Sequence, residues 1–199
     1  MKRTRDPDLT REKLLEAAFH EIHRRGYQAA GLNDILERAG VTKGALYHHF
    51  RDKKELGLAV LDRIGEMVEE VWIRPLETTD DPLGVLRGIF ENVGELVCGE
   101  DLELGCPLNN LAQEMSAVDE AFRQRVVEIY GRWRRAFAEA LRRGQAAGTV
   151  RSDVPTEAAA GFLVAALTGI RGLAKTERSV GFLETGGREM LRYLEALRP

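Results

Sequence analysis

The chain has 199 residues, a net charge of −3 at pH 7 and a hydrophobic fraction of 44%, values that are ordinary for a soluble globular protein of one or two domains. Two cysteines are too few for a disulfide framework, and the charged N-terminus lacks the apolar segment of a secretory signal. No apolar run approaches the roughly 18 residues of a membrane span. We therefore expect a cytoplasmic protein with no membrane partner.

Charge is distributed unevenly along the chain. Residues 1–54 carry 12 Lys and Arg against 8 Asp and Glu, a net of +4, whereas residues 55–199 carry 17 against 24, a net of −7. A small basic N-terminal part on a larger acidic one concentrates the attraction for a polyanion at one end. Chance variation between two windows is the alternative explanation.

The N-terminal residues predict a polar tail and a first helix. The tail contains three cations: Lys2, Arg3 and Arg5. Such a tail either reaches a DNA backbone or minor groove, or remains a solvated terminus. Thr10 is predicted to cap a helix that runs to about Arg25 and is closed by Gly26.

Two short helical patterns separated by a tight turn follow at residues 32–54. Leu32–Ala39 places apolar residues at i, i+3, i+4 and i+7, and Gly40 then supplies a residue that is free to take positive φ. Thr42 is a good N-cap for a second short helix at residues 43–50. A helix, a glycine turn and a helix with a basic outer face are typical of a helix-turn-helix.

The run VTKGALYHHFRDK at residues 41–53 resembles the recognition helix of the TetR family of transcriptional repressors, and it lies where that family places it. The motif resemblance covers residues 10–54, and GCPLNNLAQE at residues 105–114 resembles a stretch in one branch of the family. The resemblance implies an all-α fold of about nine helices. A three-helix DNA-binding domain would occupy residues 1–54, and an effector-binding and dimerisation domain residues 55–199. The family usually has Ser or Thr near position 31, and Gly31 weakens one expected contact with the DNA backbone.

DNA recognition requires phosphate donors and base-contacting side chains on a helix that fits the major groove. Lys43 offers charge at a helix N-terminus, Tyr47 and His48 offer a phenol and an imidazole, and the small Gly44 and Ala45 allow close approach. By resemblance, the family uses the matching positions in these ways. The predicted DNA-binding residues are Thr42, Lys43, Gly44, Ala45, Tyr47, His48 and Lys53. An ordinary surface helix is the alternative.

The rest of the chain predicts further helices, with no alternating strand pattern. The helical patterns cover residues 53–72, 82–97, 120–147, 156–175 and 182–197, and a short helix opens at residues 105–108. Residues 100–105 are predicted to form a loop. The helix at residues 53–72 follows the helix-turn-helix directly and could transmit a displacement to it as a rigid lever.

Aromatic, methionine and amide side chains predict the wall of an effector pocket, which the resembled family encloses in this region. The candidates are Met67, Trp72, Phe90, Leu104, Cys106, Asn109, Met115, Tyr130, Trp133 and Phe137. The mainly apolar set favours a hydrophobic or amphipathic effector, with amides such as Asn109 orienting it. The same residues at helical spacing also suit an ordinary core, and capping or exposure also explains the amides.

The helix at residues 156–175 is apolar and rich in small residues, which allow close approach of a partner helix. The predicted dimer interface consists of Ala158, Phe162, Ala165, Ala166, Gly169, Met190 and Leu194. Two helices from each subunit would bury this surface. Paired recognition helices about 34–36 Å apart would then address two half-sites of a palindromic operator. An intramolecular core helix is the alternative.

The leading hypothesis is a homodimeric repressor that a small-molecule effector releases from its operator. An activator of the same architecture, or a regulator acting through a protein partner, remains open. A small all-α enzyme or thiol protein using Cys98, Cys106 or the pair His20 and His23 is the alternative from another class. The two cysteines could also form a thiol switch, although cysteine is a common buried residue. No motif combines a nucleophile with a base or forms a ligand set, so we predict no catalytic residue, cofactor or metal site.

Overall fold

The computed structural model describes residues 7–96 and 100–199, and every regular element within these ranges is helical. The ten helices are α1 (Pro7–Arg25), α2 (Leu32–Ala39), α3 (Lys43–His49), α4 (Lys53–Val68), α5 (Pro82–Leu96), α6 (Glu100–Leu104), α7 (Pro107–Met115), α8 (Glu120–Ala147), α9 (Thr156–Glu177) and α10 (Val180–Ala196). The predicted all-α class is confirmed. The stretch predicted to be a loop at residues 100–105 instead contains the five-residue α6.

The described residues cluster in two compact units. The first unit comprises those up to Ile64 together with Asn110–Val126, and the second comprises Gly65–Asn109 and Val127–Pro199. The functional division at residue 54 remains a prediction. Lys2, Arg3 and Arg5 of the predicted arm, and Cys98, lie outside the described residues.

Helix α1 begins earlier than predicted, at Pro7 rather than after Thr10. Proline fixes φ near the helical value and lacks only an N–H that the first turn leaves unbonded, so it suits a helix start. The carboxylate of Asp8 lies in the first turn, where the helix dipole favours negative charge. Leu14 and Ala18 on the inner face are completely buried, which anchors α1 in the core of the first unit.

The regular helix after the helix-turn-helix is shorter than predicted, because α4 ends at Val68 instead of continuing to Trp72. A π-helical turn, Glu69–Ile73, follows, and a 3-10 turn, Arg74–Leu76, completes the segment. A π turn holds more residues than an α turn and so shifts the phase of the side chains. Trp72 is buried as a result, and it lies in the core of the second unit.

Helix α9 is long and apolar enough to cross a membrane by length and composition, with a mean hydropathy of 1.3 over the relevant window, of which 33% is buried inside the chain. The prediction that no apolar run approaches the length of a membrane span was therefore wrong for α9, whose apolar stretch contains Gly and Thr residues. The low buried share has a local cause, since one whole face of α9 is exposed, as described below.

Candidate functional site

The helix-turn-helix forms as the sequence predicts. Gly40 ends α2 in the left-handed conformation, with φ 63° and ψ 34°, which glycine adopts without steric cost. The Thr42 side chain accepts a hydrogen bond of 3.3 Å from the Ala45 N–H and so caps α3. Leu46 and Phe50 are buried, so α3 is fixed to the first unit by one apolar side.

The opposite side of α3 carries most of the residues predicted to bind DNA. Lys43, Gly44, Tyr47 and His48 are exposed, and the Lys43 ammonium lies 5.9 Å from the centroid of the Tyr47 ring. A Cβ atom added at Gly44 would meet no other residue closer than 4.0 Å, so this surface is open. Ala45 is half-buried at the edge of the same surface. The arrangement presents a cation, a phenol and an imidazole on one narrow helical face, which we call the α3 face.

Lys53 has internal contacts that the sequence did not indicate. Its ammonium donates a hydrogen bond of 3.1 Å to the Gln28 carbonyl oxygen and lies 4.8 Å from the centroid of the Tyr27 ring. Burial lowers the pKa of the Lys53 ammonium. A phosphate contact by this residue would have to replace the bond to Gln28 or share the ammonium with it.

Glu114, at the end of α7, is a residue that sequence reasoning missed. Its carboxylate accepts hydrogen bonds of 2.8 Å from each of the backbone N–H groups of Tyr27 and Gln28, in the segment between α1 and α2. The chain approaches closely here, since a Cβ atom added at Gly26 would lie 2.9 Å from Glu114 Oε2. The two partners are 87 residues apart in sequence, so no local pattern signals the contact.

The start of α8 holds the same segment from a second direction. The rings of Tyr27 and Phe122 lie 4.7 Å apart, and the Lys54 ammonium donates a hydrogen bond of 2.6 Å to Asp119. Asp119 also caps α8 by accepting a hydrogen bond of 2.9 Å from the Ala121 N–H. The entrance to α2 and the start of α4 are therefore both tied to the first residues of α8.

Five of the predicted pocket residues come together in the second unit, in what we call the aromatic cluster: Trp72, Phe90, Tyr130, Trp133 and Phe137. Trp133 is central, because its ring lies 5.5 Å from Trp72, 6.5 Å from Tyr130 and 6.1 Å from Phe137. Phe90 completes the cluster through Trp72, with ring centroids 5.7 Å apart.

Three polar groups of the second unit were among the predicted pocket residues. Burial, and secondarily the neighbouring Cys106 thiol, raise the pKa of the Tyr130 phenol well above its ordinary value of 10.0, so the phenol stays protonated. Cys106 is a buried free thiol. Asn109 is near α9, since a Cβ atom added at Gly172 would lie 3.6 Å from its Nδ2 atom.

The remaining predicted pocket residues are not brought into this cluster. Met67 is 43% exposed on α4, Met115 is buried within the first unit, and Leu104 is half-buried on α6. The two histidines weighed as a metal pair both contact Phe19, with His20 and His23 each 5.6 Å from its ring centroid.

One face of α9 is apolar and exposed, and we call it the α9 face. It consists of Ala158, Phe162, Ala165, Gly169 and Leu173, spaced three or four residues apart. Four of these five were predicted for the dimer interface, and Leu173 was missed. The Phe162 ring is 50% exposed and lies 4.6 Å from the ring of Tyr193 on α10.

The other predicted interface residues lie elsewhere. Met190 and Leu194 are buried inside the chain, at 4% and 3% exposure, and Ala166 is half-buried. The apolar side of α10 that carries Met190 and Leu194 therefore serves the core of its own chain. Periodicity identifies an apolar side, but it does not distinguish the core of the chain from a surface shared with a second copy.

Comparison with known proteins gives the following similarities. Residues 14–60 match the model of the bacterial regulatory proteins of the tetR family, and residues 82–189 match that of the tetracyclin repressor-like C-terminal domain. Transcriptional regulator AcuR of Cereibacter sphaeroides is 30% identical over 159 residues, covering 78% of this chain and 71% of that protein. The probable HTH-type transcriptional regulator ArpR of Pseudomonas putida is 33% identical over 206 residues, covering 95% and 94%. The crystal structure of regulatory protein TetR from Rhodobacter sphaeroides superimposes with a TM-score of 0.83 at 29% identity, covering 92% and 98%.

Proposed function

We propose, from the premise that this chain belongs to the TetR family of transcriptional regulators, that it is a homodimeric cytoplasmic repressor which a small-molecule effector releases from a palindromic operator. The observation that carries this proposal is the α3 face, where Lys43, Tyr47 and His48 are exposed on one side of a helix anchored by its other side. A helix of this kind places its first residues at the base edges of the major groove.

Repression is preferred over activation on the names of similar proteins. DhaR of a Mycobacterium species, 28% identical over 170 residues, is named a transcriptional repressor. FasR of Mycolicibacterium smegmatis, 44% identical over 84 residues, is named a transcriptional activator, but that match covers only 42% of this chain. Activation is therefore the second candidate, and the position of the operator relative to the promoter would distinguish the two.

The effector is proposed to bind at the aromatic cluster of the second unit. The cluster offers ring surfaces to an apolar body, and the phenol of Tyr130 offers a polar group within it. Pockets of this composition bind largely apolar ligands and orient them with a few polar contacts.

Glu114 supports a route by which such binding affects DNA recognition. It lies at the C-terminal end of α7, whose N-terminal end carries Asn109 close to α9. Its carboxylate holds the backbone of Tyr27 and Gln28, immediately before α2. A displacement of α7 would therefore alter the segment that positions the helix-turn-helix.

The DNA-binding proposal is tested by fluorescence anisotropy on duplex DNA from the upstream region of the gene itself, across a salt series. We expect Lys43→Ala to weaken binding about tenfold and to reduce the slope of log K against log salt by about one, because one phosphate contact is lost. Tyr47→Ala should weaken binding by a similar factor. The matched control is Arg134→Ala, which removes an exposed cation from α8.

The control decides how a loss of affinity is interpreted. If Arg134→Ala weakens binding as much as Lys43→Ala, the protein attracts DNA through its overall charge and the α3 face is not the recognition surface. If no genomic duplex is preferred over scrambled DNA in a genome-wide selection, the proposal of a sequence-specific regulator fails.

A further inference from the structure

We propose that the aromatic cluster takes a carboxylate-bearing amphiphile, whose carboxylate accepts hydrogen bonds from Trp133 Nε1 and from the Arg171 guanidinium. The role of this molecule as an effector rests on the function proposed above. The binding site itself does not depend on DNA recognition, and the two claims can fail separately.

The first observation is an unsatisfied donor at the centre of the cluster. Trp133 is 3% exposed, and its indole Nε1 atom is buried with no hydrogen-bond acceptor among the described residues. Tryptophan can only donate at this atom, and buried indole N–H groups ordinarily have a partner. The aromatic cluster therefore contains a donor that a bound acceptor oxygen would satisfy.

The second observation is a half-buried cation without an anion. The Arg171 guanidinium donates a hydrogen bond of 3.0 Å to the Gly105 carbonyl oxygen, while its Nε atom is buried and has no acceptor. Within the part of the chain that the structure describes, no carboxylate comes within 4.0 Å of Arg171. Since arginine does not lose its proton in proteins, this charge is best compensated by an anionic partner.

A series of neighbouring residues connects the two elements that carry these donors. Arg171 binds Gly105, and the next residue, Cys106, is close enough to Tyr130 to affect its phenol. Tyr130 in turn lies against Trp133, with the two ring planes 5° apart. All five residues belong to the second unit. The unsatisfied indole and the uncompensated guanidinium thus belong to one connected group of residues in the second unit.

The chemistry of the two donors selects the ligand class. A carboxylate carries one negative charge, which matches the single uncompensated guanidinium, and its two oxygens can accept from both donors. A phosphate monoester carries about −1.5 to −2 charges at pH 7 and would leave part of that charge unmatched. The rings of Trp72, Phe90 and Phe137 suit an apolar or unsaturated body attached to the carboxylate.

The test uses matched pairs of acids and neutral amides as probes: trans-cinnamate with cinnamamide, and hexanoate with hexanamide. Intrinsic tryptophan fluorescence reports directly on the site, because the only two tryptophans of the chain, Trp72 and Trp133, both lie in the cluster. We expect at least one acid to bind about tenfold or more tightly than its amide, since hydrogen bonds to charged groups are the stronger ones.

Substitutions test whether the preference for the acid comes from the two proposed donors, Arg171 and Trp133. Arg171→Gln should abolish the preference for the acid, and Trp133→Phe should weaken binding of the acid while Trp72 still reports it. The control is Arg134→Gln, at an exposed position on α8. It should change neither the affinity for the acid nor the preference for the acid over its amide. If Arg171→Gln fails to fold by circular dichroism, Arg171→Lys serves instead, because it keeps the charge and removes the planar fork, and a smaller preference is then expected.

Three results would overturn the proposal: an acid that binds no better than its amide, a preference for the acid that is undiminished in the folded Arg171 variant, or no binding by either acid at millimolar concentration. Fluorescence anisotropy on operator DNA tests separately whether the bound acid acts as an effector that releases DNA. An acid that binds but does not release DNA leaves the site standing and refutes effector control by that molecule. Release by a neutral molecule that quenches the tryptophans leaves effector control standing and refutes the carboxylate.

Discussion

At the scale of single residues, the Glu114 carboxylate is the group whose removal we expect to be felt most widely in the first unit. It accepts hydrogen bonds from two backbone N–H groups, those of Tyr27 and Gln28. In Glu114→Gln, the amide oxygen can accept from one of the two N–H groups, and it is a weaker acceptor than a carboxylate oxygen. The other N–H group then faces the amide NH₂, which cannot accept its hydrogen bond. We expect a loss of about 1–2 kcal/mol in the free energy of unfolding, measured by urea denaturation.

A matched variant tests whether this loss comes from the contact. Glu139 is an exposed glutamate on α8, so Glu139→Gln makes the same chemical change without removing a backbone partner. It should alter the free energy of unfolding by less than about 0.5 kcal/mol. Equal effects of the two substitutions would mean that Glu114 contributes only its charge.

Whether a residue of the candidate site could be predicted from the sequence depends on how far along the chain its contacts lie. Thr42, Gly40 and Leu46 could be assigned from the sequence because caps, left-handed turns and apolar spacing are set by neighbours within a few positions. The roles of Glu114 and Lys53 could not, since each contacts a segment that folding brings from far along the chain. Sequence alone identifies these residues as charged and leaves their partners open.

At the scale of an element, the start of α8 is predicted to lose stability in acid. The hydrogen bond from the Lys54 ammonium is the main cause that lowers the pKa of Asp119 below its ordinary value of 3.8, and the N–H groups at the helix start add to it. A lowered folded-state pKa means that the stabilisation is complete above the unfolded value and disappears as the pH falls through the folded one.

The comparison with Asp119→Asn isolates this charge effect, because asparagine is also a good helix cap. Wild-type protein should melt at a higher temperature than the variant at about pH 6, and the difference should shrink as the pH falls below about 3.8. The difference should also decrease with added salt, since the pair is partly exposed. A difference that stays constant down to about pH 2 would assign the effect to packing rather than to ionisation.

The segment after α4 shows why element boundaries limit prediction from sequence. One continuous helix was predicted over residues 53–72, and Met67 and Trp72 were both predicted to line the effector pocket. The π-helical turn at Glu69–Ile73 shifts the phase between them, so Trp72 enters the aromatic cluster while Met67 remains exposed. Assigning residues to one side of a helix from their spacing requires 3.6 residues per turn throughout. The π-helical turn has more residues per turn, so the assignment fails beyond it. The aromatic members could still be predicted, because large apolar side chains are generally buried.

At the scale of the whole molecule, the α9 face is the surface that a second copy is proposed to cover. Its five residues are apolar and exposed, and the small residues Ala158, Ala165 and Gly169 would allow backbones to approach closely. In an interface related by a two-fold axis each substitution occurs twice, so a charge at Phe162 would place two carboxylates in a surface without cations of its own. Phe162→Glu should therefore convert a dimer into a monomer.

Light scattering at micromolar concentration measures this directly, with a wild-type mass expected at twice the subunit mass of 22.2 kDa. Glu139→Lys, on the exposed side of α8, is the control and should remain dimeric.

The monomeric variant should also bind operator DNA more weakly by a factor of 10² or more, roughly the avidity that joining two recognition helices provides. Because Phe162 is far in sequence from the α3 face, a loss of affinity in a variant that is still dimeric would contradict this explanation. A dimeric Phe162→Glu protein with unchanged DNA binding would place the interface on a different surface of the subunit.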